Sequence, residues 1–390
     1  MDHLLVAIAS DFHAHGEAKD QPSFLDLREK VVLPTHNPIE GLKDLIQTQA
    51  LKSDLLLCPG DLGHQASQLG IQYVWEELQK VGSSLGATLV TATAGNHDID
   101  SRYKNTKFAP DHVLKSLVPR FPLPDPLWDR YWARRYAIVE DPMYRLVLLN
   151  SSAFHGYTSF EQDHGRVDEL GLAQLKHDLG SLESRKINIL LCHHHPQQHS
   201  ELGLGEDDVM RNGQLLLDLL GSGNYGRWMV IHGHKHHPKI TYASGGASSA
   251  VVFAAGSFSS KLYLPLQTVA RNQFYIVDFD VAEIEQRGFV GHIRSWDWAY
   301  GTGWIPAQND SSLPARSGFG LRTDPSTLTN RIAEALSGSP TLTWPQFLID
   351  FGEVEYLLPQ DFRLLERQLE ARRIRILKGA NGPETISVTI

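Results

Sequence analysis

The sequence lacks the features that mark membrane-spanning and disulfide-bonded proteins. No apolar run reaches the roughly 18 residues that a helix needs to cross a bilayer. The apolar run over residues 4–9 is too short for a signal peptide and leads straight into charged residues, so we interpret it as a strand. Cysteine occurs only at Cys58 and Cys192, each within an apolar run. We therefore predict no membrane association, no disulfide framework and a reducing, cytoplasmic location.

Basic residues are also in deficit, because 36 lysines and arginines stand against 45 acidic residues and give a net charge of −9. This balance argues against a protein that binds nucleic acid through broad backbone electrostatics. It leaves open nucleic acid at one local site, where bound metal ions would supply positive charge. Histidine is in excess: the chain of 390 residues has 19, and many of them are clustered.

Short apolar runs alternate with amphipathic helical stretches over the first two-thirds of the chain. The predicted buried strands lie at residues 4–9, 54–58, 88–93, 145–150, 187–192 and 228–231. The helices predicted between them lie at 39–50, 71–81, 168–179 and 214–220. This alternation predicts an α/β core with a largely parallel sheet. Later strand-like segments, at 250–253, 273–279 and 288–296, predict a second and more antiparallel sheet.

The C-terminal part of the chain predicts a small separate unit. A segment rich in Gly, Pro, Ser, Asn and Asp is interpreted as a linker. The predicted division is a domain at 1–303, the linker at 304–326 and the unit at 327–390. Three helices precede a hairpin around Asn381-Gly382, which is the outline of a winged helix. The helices are predicted at 328–336, 344–351 and 359–371.

This C-terminal unit is expected to bind a protein partner, or to cap the larger domain, rather than to bind DNA, because acidic residues interleave with its basic ones. Large aromatic side chains would anchor that partner if they were exposed. They are Trp344, Phe347, Phe351 and Tyr356.

Five clusters of metal-binding residue types follow predicted strands along the chain. In open α/β sheets, ligands bind beyond the carboxyl ends of the strands, so these clusters are expected to converge. Alternate residues of an extended segment point to the same side, so Asp11 and His13 can both face one ion. His234 and His236 have the same spacing. The clusters are Asp11-Phe12-His13, Gly60-Asp61, Gly95-Asn96-His97-Asp98, His193-His194-His195-Pro196 and Gly233-His234-Lys235-His236.

These donor types also indicate which ions the site would hold. Carboxylate, imidazole and amide ligands together suit borderline first-row ions such as Mn, Fe, Zn or Ni. A site for two ions needs one carboxylate to bridge them, and Asp61 is the natural candidate. We expect manganese to support activity in vitro.

The ordered set of DxH, GD, GNHD, a histidine before proline and GHxH resembles the calcineurin-like metallophosphoesterases over roughly residues 1 to 300. The resemblance implies a four-layer αββα sandwich with two divalent metal ions. The implied ligands are Asp11, His13 and His236 for the first ion, Asn96, His194 and His234 for the second, and Asp61 as the bridge. In the family the fourth-motif histidine usually stands two residues before a proline, which selects His194. His193 and His195 stay open as alternatives.

The resemblance also implies a mechanism. Two ions would lower the pKa of a bridging water, so that a metal-bridging hydroxide attacks the phosphorus near neutral pH. His97 would orient the phosphate or protonate the leaving alkoxide. Asp98 would hydrogen-bond His97 and orient it.

Three functions remain in competition. The first is hydrolysis of a small phosphate ester, most simply a phosphodiester or nucleotide, because the long segment 14–38 has the position of a lid over the ions. The second is a metal-dependent DNA or RNA nuclease, since the stretch from Gly60 to His64 is similar to that of double-strand-break repair nucleases. The third is an interaction scaffold with a vestigial metal site, which the complete set of motif residues argues against.

Overall fold

The computed structural model of the chain describes residues 2–17, 20–105, 107–157, 161, 164–198, 208–308, 312–338, 341–379 and 382–389. Its first sheet has the strand order β12-β11-β10-β1-β2-β3, with β13 paired to β11. β1, β2 and β3 are mutually parallel, whereas β10 runs antiparallel to β1. The strands are β1 His3–Ile8, β2 Leu55–Cys58, β3 Leu89–Ala92, β10 Asn272–Asp280, β11 Gly291–Ala299, β12 Gly303–Pro306 and β13 Arg316–Phe319.

The second sheet has the strand order β4-β5-β6-β7-β9-β8. Its central strands β5, β6, β7 and β9 are parallel, and the edge strands β4 and β8 are antiparallel to their neighbours. The strands are β4 Tyr136–Glu140, β5 Tyr144–Leu149, β6 Ile187–Leu191, β7 Trp228–His232, β8 Lys239–Tyr242 and β9 Val251–Ala254.

Helices cover the outer faces of the two sheets. α1 and α2 contact strands of the first sheet, and the side chains of α5 and α6 pack in one apolar cluster with those of the second. α1 begins at Pro38 because the Asn37 side chain accepts hydrogen bonds from the amides of Ile39 and Glu40. The helices of this region are α1 Pro38–Gln49, α2 Gln68–Leu85, α3 His112–Lys115, α4 Leu127–Arg134, α5 Glu169–Ser181, α6 Gly213–Gly221, α7 Leu264–Gln267 and α8 Val281–Arg287.

The core between the two sheets follows from the alternation of side chains along each strand. In β5, Leu146 and Leu148 belong to the central apolar cluster shared with the first sheet. Val147 and Leu149 point the opposite way, into the cluster under α5 and α6. A strand buried on both faces reads as a continuous apolar run, as observed here. The predicted four-layer αββα arrangement is therefore confirmed.

The later strands do not form a sheet of their own, so that prediction was wrong. β10 and β11 hydrogen-bond to β1 and extend the first sheet. β9 instead lies between β7 and β8 in the second sheet. Part of the segment predicted to be a linker is also strand, because β13 pairs with β11. The boundaries at 303 and 327 remain a proposal.

The C-terminal unit has three helices and a small sheet of order β14-β16-β15. The four aromatic side chains predicted as partner anchors are buried, at 1–8% exposed, so they do not form a surface for a partner. Trp344, Phe347 and Phe351 pack in the apolar core of the unit. Tyr356 also packs against His292 of the first sheet, with ring centroids 4.7 Å apart. The elements are α9 Pro325–Leu336, β14 Thr341–Thr343, α10 Trp344–Phe351, a 3-10 helix Gly352–Tyr356, α11 Pro359–Ala371, β15 Ile374–Gly379 and β16 Gly382–Val388.

Two further predictions concern the C-terminal hairpin and the absence of membrane-spanning helices. Asn381 of the predicted hairpin turn lies outside the described residues, although both of its strands are present. Within the part of the chain that the structure describes, no helix is long and apolar enough to cross a membrane.

Candidate metal centre

The five predicted clusters meet where parallel strands of the two sheets end. They begin within three residues of the ends of β1, β2, β3, β6 and β7, so the fold brings them to one edge. Five of their residues have left-handed backbone conformations, with φ between 48° and 76°. Such conformations cost on the order of 1–3 kcal/mol each outside glycine and persist where the surroundings dictate them, typically at functional sites. These residues are Asp11, His13, Asp61, His234 and His236.

The glycines of the motifs make room for the donors of neighbouring motifs. A Cβ on Gly95 would stand 2.1 Å from Oδ1 of Asp61, and one on Gly233 would stand 2.4 Å from Oδ2 of Asp11. Both distances are far below van der Waals contact. Glycine is therefore required at these places by the packing of donor groups against backbone.

One group of donors contains the first and fifth motifs. Nε2 of His13 and Nε2 of His236 face each other at 3.1 Å. Nε2 of His236 lies 3.4 Å from Oδ1 of Asp11, and Nε2 of His13 lies 3.4 Å from Oδ2 of Asp61. Two imidazole nitrogens and two carboxylates thus converge on one point, which is the arrangement of ligands around a cation.

A second group adjoins the first through the same carboxylate. Oδ2 of Asp61 is also 3.4 Å from Nε2 of His193. Oδ1 of Asn96 lies 2.9 Å from that nitrogen and 3.1 Å from Nδ1 of His234. Asp61 therefore reaches both groups, the position that a bridging carboxylate requires.

The three consecutive histidines face different ways, and their hydrogen bonds distinguish them. Nδ1 of His193 donates to the carbonyl of Pro59 at 3.0 Å, which leaves a lone pair on Nε2 for a cation. The hydroxyl oxygen of Ser151 accepts from the amides of His193 and His194, so its own hydrogen points to Nδ1 of His194, 2.9 Å away. Nε2 of His194 is buried without a hydrogen-bond partner among the described residues, and His194 lies within reach of one ion together with His193 and His234. His193 also reaches Oδ2 of Asp61 at 3.4 Å, so we propose His193 as the ligand, with the predicted His194 as the alternative.

The ring of His195 stacks on that of His234, with centroids 5.7 Å apart. The buried Nε2 of His195 lies 3.4 Å from Oδ1 of Asp208, a residue that sequence reasoning did not single out. Asp208 stands in a loop without any motif, so nothing in the sequence pointed to it. Ser151 was also missed, although it stands two residues after the end of β5, much as the motif residues follow their strands.

Asp98 is not placed to orient His97, which corrects the predicted role. Its carboxylate accepts from the amides of Asp61, Gly63 and Gly95 at 2.8–3.0 Å. It therefore ties the second motif to the third. Among the described contacts, His97 instead donates its amide to Oδ1 of Asp61 at 2.8 Å, and its Nδ1 accepts from the amide of Gln65 at 3.3 Å.

Comparison with protein families decides what this arrangement is. Residues 4–238 match the family described as calcineurin-like phosphoesterase. The chain belongs to this family. Residues 317–371 match a second family, a winged helix-turn-helix module associated with calcineurin-like domains. The predicted metallophosphoesterase and the winged-helix outline of the C-terminal unit are both confirmed. No curated protein matches the chain.

Solved phosphatase structures resemble this phosphoesterase only distantly. A purple acid phosphatase from yellow lupin has 13% identity and a TM-score of 0.47, and the match covers 81% of this chain and 53% of the lupin chain. A dimetal phosphatase from Danio rerio has 12% identity and a TM-score of 0.47, with 77% and 98% covered. A 5'-nucleotidase precursor from Thermus thermophilus has 13% identity and a TM-score of 0.37, with 80% and 56% covered. These likenesses are too distant to indicate a substrate.

The donor set of this phosphoesterase fits divalent metal ions. Burial opposes ionisation of Asp11, yet His236 lowers the pKa of its carboxyl to about 2. Burial also opposes charge on His193, yet the carboxylates of Asp61 and Asp11 raise the pKa of its imidazole to about 9. The carboxylates of Asp61 and Asp11 therefore stabilise positive charge at His193, and the nitrogen and oxygen donors of the centre suit borderline first-row ions.

Proposed function

We propose that the chain hydrolyses a small phosphodiester or a nucleotide with the help of two divalent ions. The proposal is supported above all by Oδ2 of Asp61, which lies 3.4 Å from Nε2 of both His13 and His193 and so joins two groups of donors. When bound, such ions act as Lewis acids on phosphoryl oxygens and lower the pKa of water. The proposed ligands are Asp11, His13, Asp61 and His236 for the first ion, and Asp61, Asn96, His193 and His234 for the second.

His97 is proposed to hold a proton toward the substrate. Because its Nδ1 accepts from the amide of Gln65, its neutral imidazole carries the hydrogen on Nε2. The ring lies beside that of His13, with centroids 4.7 Å apart, so it borders the first group of donors. From there Nε2 is suited to donate to a phosphoryl oxygen or to the leaving alkoxide.

Asp98 contributes to the site indirectly in this proposal. It braces the backbone of Asp61 and Gly95, and so sets the position of the carboxylate that reaches both donor groups. Burial and the charge of Asp61 raise the pKa of Asp98 to about 7. Its three amide donors offset part of that burial cost.

The segment 14–38 favours a small substrate over nucleic acid. It places Asp20 3.9 Å from Nε2 of His64, and Asp26 4.0 Å from Nδ1 of His15. The ring of His64 in turn stacks on that of His97 at 4.9 Å. Asp20 therefore adds negative charge beside His64, where it would repel a polyanionic backbone, whereas the charge of Asp26 is paired with that of Arg28.

The test uses metal-free protein reconstituted with Mn²⁺ and a panel of substrates. The panel contains bis-p-nitrophenyl phosphate, p-nitrophenyl phosphate, cyclic nucleotides, and single- and double-stranded DNA. We expect turnover of small esters that chelator abolishes. Cleavage confined to DNA would support a nuclease instead, and an absence of metal-dependent turnover across the panel would contradict the proposal.

Variants separate the proposed roles. Asp61→Asn should abolish turnover, and His97→Ala should lower kcat about 10²–10⁴-fold, as expected for loss of a proton donor. His177→Ala, in an exposed histidine of α5, is the matched control and should behave like wild type. Full activity of His97→Ala would refute its role as proton donor.

A further inference from the structure

A cluster outside the predicted motifs surrounds the carboxylate of Asp208. Its Oδ2 accepts a hydrogen bond from Nε2 of His234 at 3.3 Å and contacts Nζ of Lys235. Its Oδ1 lies 3.4 Å from Nε2 of the buried His195. The Asp208 side chain is only 21% exposed, so these interactions are largely shielded from water.

The two ring nitrogens of His234 therefore have different environments. Nε2 faces a carboxylate, and Nδ1 lies 3.1 Å from Oδ1 of Asn96 in the second group of donors. A neutral imidazole carries its hydrogen on one nitrogen and a lone pair on the other. A carboxylate at Nε2 fixes the hydrogen there and leaves the lone pair of Nδ1 for the second group.

The ammonium of Lys235 argues against a cation site at this cluster. His195, Asp208 and Nε2 of His234 lie close enough together to form a third cation site. However, Lys235 already places a positive charge on Oδ2 of Asp208. A second cation at the same carboxylate would be repelled, so hydrogen bonding to His234 is the better account.

We propose that Asp208 is a positioning residue, which orients His234 and fixes its tautomer so that Nδ1 can bind the second metal ion. The inference rests on the proposed two-metal function. Partners of this kind typically change metal affinity about 10–100-fold when they are removed. The effect should fall on the second ion only, because Asp208 contacts none of the donors proposed for the first among the described residues.

The test is titration of the full-length metal-free chain with Mn²⁺, followed by calorimetry and by electron paramagnetic resonance. Wild type should bind two ions and give the spectrum of a spin-coupled pair. Asp208→Ala should weaken one binding step about 10–100-fold, leave the other within about twofold, and give the spectrum of isolated ions at two equivalents. Asp208→Asn keeps an acceptor oxygen without the charge and should be affected less.

Controls separate positioning from folding and from direct ligation. Asp218→Asn, an exposed residue of α6, should leave both steps unchanged, and melting curves of the metal-free variants should match wild type. If Asp208→Ala does not fold, Asp208→Asn carries the test. Unchanged binding, equal weakening of both steps, or a third wild-type ion that is lost in Asp208→Ala would overturn the inference. Failure of wild type to bind two ions would instead overturn the proposed function beneath it.

Discussion

Replacing Gly95 by alanine tests how tightly the donor groups are packed. The new Cβ would stand 2.1 Å from Oδ1 of Asp61 and 2.4 Å from its backbone nitrogen. Because backbone as well as side chain is in the way, a change of rotamer cannot relieve the overlap. The loop of Asp61 must move by about 1 Å, at a cost of about 1–3 kcal/mol in stability.

This displacement moves the carboxylate that joins the two groups of donors. A misplacement of about 1 Å is enough to lower the catalytic rate about 10²-fold. We therefore expect Gly95→Ala to lose about 100-fold in kcat/KM for bis-p-nitrophenyl phosphate and to bind Mn²⁺ more weakly. Urea unfolding measures the loss of stability, and calorimetry measures the metal.

The matched control is Gly246→Ala. Gly246 has no described atom within 4 Å of its added Cβ and does not have a positive φ. This variant should remain within about 0.5 kcal/mol of wild type and keep full activity. Wild-type metal content and turnover in Gly95→Ala would refute the packing argument.

Three further predictions follow from the same contacts. His193→Ala should remove the second metal-binding step in calorimetry, whereas His194→Ala should keep it. The reverse result would show that His194, which stands two residues before Pro196, is the ligand. Burial, with the charge of Arg316, lowers the pKa of His292 from 6.5 to about 4, so its contribution to stability is complete above pH 6.5 and is lost as the pH falls towards 4. The free energy of unfolding of His292→Gln, measured with urea, should then fall by up to about 3 kcal/mol less than that of wild type between pH 7 and pH 4. Equal decreases in the two proteins would contradict this. Mn²⁺ at about 100 times its Kd should raise the stability of the metal-free protein by about 2.7 kcal/mol, and an unchanged melting temperature would argue against a bound ion.

Much of the first sheet and of the donor set is encoded locally. A short apolar run followed by Asp, Asn or His predicts both a buried strand and a polar residue at its carboxyl end, as at β1 and β7. Long-range pairing is not encoded in this way. Nothing within 273–279 shows that β10 will pair with β1, because that contact depends on chain folding over more than 260 residues.

The roles of individual side chains at the site also depend on contacts between residues that are distant in sequence. Distance from Pro196 selects His194, but the role of each ring depends on its partners. These partners are Pro59 and Ser151, which follow other strands. The family resemblance implied that Asp98 hydrogen-bonds His97. Their side chains instead serve different loops, since the Asp98 carboxylate is occupied by backbone amides.

The most direct test of the two-metal centre is the number of Mn²⁺ ions that each chain retains. Metal-free wild type and Asp61→Asn would be incubated with Mn²⁺, desalted and analysed by mass spectrometry for metal content, with turnover of bis-p-nitrophenyl phosphate measured on the same samples. The account predicts two ions per wild-type chain, and loss of both bound metal and turnover in Asp61→Asn. A wild-type chain that retains no ion, or an Asp61→Asn variant with wild-type metal content and activity, would contradict it.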